Sequence, residues 1–188
     1  ASYDDRPTAG FGNGVYAFWA GADSQATIDR LTNATGGTAT DFGNLTQTGT
    51  NMCGISNNVR GMIVGGDRTS PDNFTVLEYV TMATTGNATD FGDLNVAAKR
   101  LYGLGKGSTT RGVFGAAGNN STRLVFSGGQ VGDEVPTNVM DYITIASTGN
   151  ATDFGDTSVT RMNLGGASNS TRSVFTGGAT SGSSSSRK

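Results

Sequence analysis

A nine-residue run, Thr-Gly-Asn-Ala-Thr-Asp-Phe-Gly-Asp, occurs identically at residues 85–93 and 148–156, and its centre, Ala-Thr-Asp-Phe-Gly, occurs once more at residues 39–43. Identity of that length marks a duplicated unit. A duplicated unit of this size rarely buries its apolar face alone, so successive copies must pack on one another. That requirement limits the chain to a repeat architecture and makes the motif the ruler that sets the phase.

The ruler brings other features into line. Asp29-Arg30-Leu31-Thr32, Glu78-Tyr79-Val80-Thr81 and Asp141-Tyr142-Ile143-Thr144 each begin ten residues before Ala39, Ala88 and Ala151. Further upstream an apolar run closes on a glycine doublet, at Gly65-Gly66 and Gly128-Gly129. Trp19-Ala20-Gly21-Ala22 takes that place in the first copy, and Gly177-Gly178 closes a last run near the C-terminus. Arg60, Arg111, Arg123 and Arg172 open these runs. One repeat therefore has four strand-like pieces: a small-residue run, the run ending in Gly-Gly, the Tyr-containing strand, and the short Asp-Phe-Gly strand. Gly and Asn in the Thr-Gly-Asn-Ala-Thr connection supply the positive φ of a tight hairpin.

Motif starts are 49 residues apart between Ala39 and Ala88, and 63 apart between Ala88 and Ala151. The longer interval holds two similar runs in tandem, opened by Arg111 and Arg123, so an extra strand or hairpin is expected there. Without it the period is about 50, in the range of blade repeats. The reading is all-β, with four-stranded blades in a β-propeller or an open array of about three and a half repeats. The expected divisions are 6–54, 55–100, 101–160 and a half repeat at 161–178, in one domain 1–178 with a Ser/Gly-rich tail at 179–188. Val76, Val80 and Met82 alternate with Leu77 and Tyr79, and Val139, Ile143 and Ile145 alternate with Met140 and Tyr142. Both faces are apolar, which suits a sheet packed between neighbours. Phe42, Phe91 and Phe154, with Tyr79 and Tyr142, are the expected repeat core.

Composition agrees with short strands and tight turns: 30 Gly, 3 Pro and 15% charged residues. A net charge of −2 leaves no electrostatic footprint for nucleic acid, and no apolar run is long enough for a membrane span. The first residues carry no signal-peptide pattern. There is no histidine, and Cys53 is the lone cysteine. The commonest general base and transition-metal ligand are thus absent, and Cys53 reads as a small buried hydrophobe. No catalytic residue, cofactor or metal site is assigned.

The repeated Asp-Phe-Gly is expected to be a turn with a packing Phe, its Asp41, Asp90 or Asp153 bonding the amides of that turn. The arginines are expected to pair with Glu78 and Asp141, acidic residues on otherwise apolar strands. Glycosylation sequons stand at Asn33, Asn44, Asn73, Asn87, Asn119, Asn120, Asn150 and Asn169, of which Asn33, Asn87 and Asn150 are assigned to one turn position. Tyr16 and Trp19, with Phe18, are the candidate platform for stacking a glycan.

The spacing resembles the kelch repeat, which has a Gly-Gly doublet, a Tyr about a dozen residues on and a Trp in the next strand. Gly66 to Tyr79 and Gly129 to Tyr142 are both 13 residues, and Phe91 and Phe154 stand where the family has Trp. The first repeat lacks both doublet and Tyr. Residues 141–156 are also similar to repeats strung together in virion proteins of environmental tailed phages, marine and cyanobacterial ones among them. That resemblance implies a non-enzymatic structural or fibre-like protein, located on a virion or outside a cell, with other virion proteins among its partners. An unfinished repeat implies homo-oligomer or filament formation, with open strand edges completed by the next subunit. The alternative expectation is a receptor- or glycan-binding adhesin. A hydrolase is disfavoured because the carboxylates recur with the repeat, as scaffold residues do.

Overall fold

The computed structural model describes residues 9–22, 25–50, 52–57, 59–68, 75–95, 106–107, 111–114, 117–120, 123–131, 135–168 and 172–180. All regular structure among them is β-strand. The first sheet is an antiparallel meander of β1 (Ala9–Gly12), β2 (Tyr16–Ala22), β3 (Gln25–Thr32) and β4 (Thr40–Asn44). Next come β5 (Gly49–Thr50), β6 (Cys53–Ser56), β7 (Arg60–Val64), β8 (Asp67–Arg68), β9 (Val76–Thr81) and β10 (Thr89–Asp93). Strands β6, β7, β9 and β10 repeat the meander as a second sheet, and β5 pairs with β8 at its side.

The third sheet is longer. It runs β11 (Lys106–Gly107), β12 (Arg111–Phe114), β13 (Ala117–Asn120), β14 (Arg123–Ser127), then past β15 (Gln130–Val131) to β16 (Val135–Thr144), β17 (Thr152–Ser168) and β18 (Ser173–Ala179). Both runs opened by Arg111 and Arg123 are strands with β13 between them, so the long interval does carry inserted strands. This sheet curls, bringing β12 and β13 close to β17.

Local chemistry accounts for the meander. Asn13 Oδ1 accepts from the amides of Val15 (2.9 Å) and Tyr16 (2.8 Å), and Asn57 Oδ1 does the same for Val59 (3.1 Å) and Arg60 (2.8 Å). These side-chain-capped turns fix the first hairpin of the first two repeats. The next corner falls on glycines at φ 58 and 89 (Gly65, Gly66) and at φ 66 and 115 (Gly128, Gly129), which a side chain would strain.

Packing lies between sheets. One cluster joins Phe11, Phe18, Ile28, Phe42 and Leu45 of the first repeat to Ile63, Val80, Met82 and Ala88 of the second. The other joins Ile55, Met62, Leu77, Phe91 and Leu94 of the second to Ile143, Ile145 and Ala151 of the third. Neighbours along β7 alternate between clusters, Ile63 in one and Met62 and Val64 in the other, as strand geometry requires. The middle sheet is therefore buried on both faces, as its two-sided apolar pattern demands. Strands β1 and β6 meet so closely that a Cβ on Gly54 would run into the backbone of Gly10.

Some expected boundaries move. β6 begins at Cys53, so the second sheet starts before the division placed at residue 54. The expected break between 160 and 161 is absent, because β17 runs unbroken from Thr152 to Ser168 and pairs first with β16, then with β18. The half repeat is thus a hairpin continuous with the third sheet. Ala179 still pairs with Met162, one residue into the expected tail, and residues 181–188 lie outside the described residues. No helix among the described residues is long and apolar enough to cross a membrane.

Candidate functional site

The motif that phases the sequence is a β-bulge rather than a turn. In β10, Thr89 faces Tyr79 and Asp90 faces Glu78, but Gly92 faces Leu77, so Phe91 is the extra residue. The same register shift occurs where β4 meets β3 and where β17 meets β16. Each aspartate holds its own bulge: Asp41, Asp90 and Asp153 Oδ1 accept from the amides of Gly43 (3.0 Å), Gly92 (3.2 Å) and Gly155 (2.9 Å). The glycines take φ 153, 142 and 126, and the aspartate–amide bonding is as the sequence led us to expect.

The bulge turns its Phe toward the next repeat and exposes backbone to it. Gly86 N donates to Phe42 O (3.0 Å) and Ala88 N to Asn44 O (2.8 Å). Between these, Asn44 N donates to Asn87 Oδ1 (3.0 Å), so a side-chain carbonyl stands in for a backbone one. The second seam repeats this bond for bond: Gly149 N to Phe91 O (2.7 Å), Ala151 N to Asp93 O (2.7 Å), and Asp93 N to Asn150 Oδ1 (3.1 Å). A short ladder thus ties each Asp-Phe-Gly strand to the Gly-Asn-Ala turn of its successor. A Cβ on Gly43 or Gly92 would run into the backbone of Gly86 or Gly149.

The acidic residues serve the same seam from the other side. Glu78, fully buried, accepts from Thr46 N (2.8 Å), and Asp141 accepts from Asn95 N (3.1 Å) and Asn95 Nδ2 (3.0 Å). Each is a carboxylate of one repeat satisfying the strand end of the repeat before. The expected pairing of Arg60 with these carboxylates is corrected. Its guanidinium lies 4.5 Å over the Tyr79 ring and donates to Ile145 O (2.8 Å) in the following repeat. In the first repeat the partners exchange strands: Arg30 lies 4.8 Å over Tyr16. Tyr16 takes the position of Arg60 and Arg30 that of Tyr79, so the cation–π pair survives the swap.

The expected core residues divide. Phe42 and Phe91 are buried at 1% and 2% exposure, and Tyr79 packs half-buried against Phe91 with ring centroids 5.9 Å apart. Phe154 is 52% exposed, although it holds the same edge-on contact with Tyr142, at 6.1 Å. Its assignment to the core is corrected, and the reason is positional: no Gly-Asn-Ala turn among the described residues follows to cover it. Nor do Tyr16 and Trp19 form a platform. Three positions apart on one strand, they point to opposite faces, Tyr16 toward the first core cluster and Trp19, 42% exposed, away from it. Asn33 does not share the position of Asn87 and Asn150, because Thr38 precedes Ala39 as they precede Ala88 and Ala151. Asn33 Nδ2 instead donates to Asn13 O (3.1 Å).

Cys53 is buried, and burial pushes its thiol from 9.0 up to about 12. An open groove of about 490 Å³ follows the second seam beside Asn95, Asp141, Asp153 and Asp156. Among the described residues, no group of three or more His, Cys, Asp or Glu is placed to hold a metal ion. Scanned against models of known families and against curated proteins, the chain matches none.

Proposed function

We propose that this is a non-enzymatic structural protein of kelch-like blades that self-assembles through its end repeats into a virion component or an extracellular filament. One observation carries the reading. The motif copies at Phe42 and Phe91 each bond the turn of the following repeat, while the first and third sheets keep large apolar side chains exposed, Trp19 at 42% and Phe154 at 52%. Strand β18 also ends its sheet as an edge, a second surface for addition. The close approach of β1 and β6 supports the blade arrangement, since inner strands of neighbouring blades meet in this way. Placement on a phage particle rests on the resemblance of residues 141–156. A glycan-binding adhesin is the second reading; Trp19 alone supports it, since Tyr16 faces the other way.

The test is sedimentation of the purified chain across a concentration series, with electron microscopy of the top sample. Concentration-dependent growth into rings or fibres is the expected outcome. A monodisperse monomer at about 100 μM, a concentration at which even a weak specific contact is substantially populated, would rule the reading out.

A further inference from the structure

The hairpin between β1 and β2 turns on Asn13-Gly14, and an asparagine followed by a glycine occurs nowhere else in the chain. Asn13 Oδ1 accepts from two backbone amides, Val15 N at 2.9 Å and Tyr16 N at 2.8 Å. Gly14 is exposed, and among the described residues nothing bonds its amide. A Cβ built on Gly14 would meet nothing within 4 Å, and its φ lies outside the left-handed region. The second repeat supplies a matched comparison. Asn57 Oδ1 is held in the same way, by Val59 N at 3.1 Å and Arg60 N at 2.8 Å, but the residue after it is Asn58.

We propose that Asn13-Gly14 is a self-modifying site, at which the chain deamidates itself through a cyclic imide. The Gly14 nitrogen attacks Asn13 Cγ, and the new N–Cγ bond forms as the Cγ–Nδ2 bond breaks. Nδ2 leaves as ammonia, taking up the proton that the Gly14 nitrogen gives up. Water then opens the imide at one of its two carbonyls. Attack at Cγ gives aspartate, and attack at the main-chain carbonyl carbon of residue 13 gives isoaspartate. The turn assists the first step, because the negative charge that develops on Oδ1 already faces two N–H groups. Glycine assists it too, leaving the approach free of a side chain and letting the backbone rotate to close the ring. The only co-reactant is water. Both products add one negative charge to a chain of net charge −2. Aspartate keeps an oxygen for the two amides of the turn. Isoaspartate threads the main chain through Cγ, so the turn gains a backbone atom and that oxygen no longer caps it. The hairpin therefore carries a mark that accumulates with the age of the molecule.

The test is to age the intact chain in mildly alkaline buffer and follow it by anion exchange, tandem mass spectrometry and labelling with isoaspartate methyltransferase. An acidic form should accumulate, deamidated at Asn13 faster than at Asn57 by roughly tenfold or more. The rate should rise with pH, because the deprotonated amide is the nucleophile. Gly14→Ala, for which the turn has room, should slow the reaction by a similar factor. Asn58→Gly should confer the reaction on Asn57, whose carbonyl is already held by two amides. Ala34→Gly puts a glycine after Asn33, whose side chain donates to Asn13 O and accepts from no amide among the described residues. That pair should react several-fold more slowly than Asn13. Circular dichroism checks that each variant keeps the fold. Equal rates at Asn13 and Asn57 in the wild-type chain, no deamidation at Asn13, or a wild-type rate in Gly14→Ala overturns the inference. An inert Asn57 in Asn58→Gly, or Asn33 matching Asn13 in Ala34→Gly, overturns the part assigned to the two amides.

Discussion

Phe91 and Phe154 form a matched pair that isolates the seam. Both rings sit in the same bulge and touch a tyrosine edge-on, at 87° and 5.9 Å for Phe91 and 78° and 6.1 Å for Phe154. The ring–ring contribution therefore nearly cancels between Phe91→Ala and Phe154→Ala. What differs is coverage by a following repeat, 2% exposure against 52%. Truncating the buried ring loses up to about 3 kcal/mol of transfer free energy, and the cavity left behind raises the total to about 3–5 kcal/mol. With half its surface already wet, Phe154 loses about 1–1.5 kcal/mol of transfer, and no closed cavity forms. The expected gap is about 1.5–4 kcal/mol, or roughly 3–16 °C in melting midpoint for a chain of this length. The assay is urea and thermal unfolding followed by circular dichroism, at a concentration low enough to keep the chain dispersed. Equal losses within about 0.5 kcal/mol would refute the stacking, because either Phe91 would not be covered or Phe154 would be.

Gly92→Ala and Gly155→Ala both place a side chain at positive φ, but only the first drives it into the backbone of Gly149, so Gly92→Ala should lower the thermal midpoint by several degrees more. Replacing Asp141 by Ala strips Asn95 of the acceptor for two donors, and a loss of about 1–3 kcal/mol in urea unfolding is expected, against less than about 0.5 kcal/mol for the exposed Asp29→Ala in dilute solution. The raised Cys53 thiol stays protonated in the fold while the unfolded thiol ionises above 9.0, so its contribution is complete below that pH and declines toward about 12. Stability should fall more steeply with pH above 9.0 than in Cys53→Ala, by up to about 1.4 kcal/mol per pH unit, and identical slopes would count against that burial.

How much of this was legible in the sequence depends on the range of the interaction. The four-strand unit, the inserted strands around Arg111 and Arg123, and the two-sided burial of the middle sheet follow from periodicity and spacing, which are local. The bulge at Phe91 was not legible, because a bulge exists only once two strands have chosen a register. The fate of Phe154 was hidden for the same kind of reason: its sequence context matches that of Phe91 over nine residues, and only the neighbour differs. The Asn13 and Asn57 turns carried a signal that spacing could have found, an Asn two residues before Val15 and Val59. The exchange of Arg and Tyr between Arg30–Tyr16 and Arg60–Tyr79 could not be seen by comparing equivalent positions one at a time, since each position alone reads as a lost feature.

The Asn87 and Asn150 rungs make chain length an adjustable quantity. The second repeat carries both a Phe-Gly strand for the neighbour after it and a Gly-Asn turn and carboxylate for the neighbour before it. Inserting or deleting one whole repeat therefore leaves every rung intact, whereas shifting the frame by part of a repeat would break the rungs on both sides. The extra strands of the third sheet respect this, since in the ladder they join through β14, on the other side of β16 from the motif strand β17. Recombination between the identical nine-residue runs would lengthen or shorten such a protein in steps of one sheet, with no accompanying repair of the core.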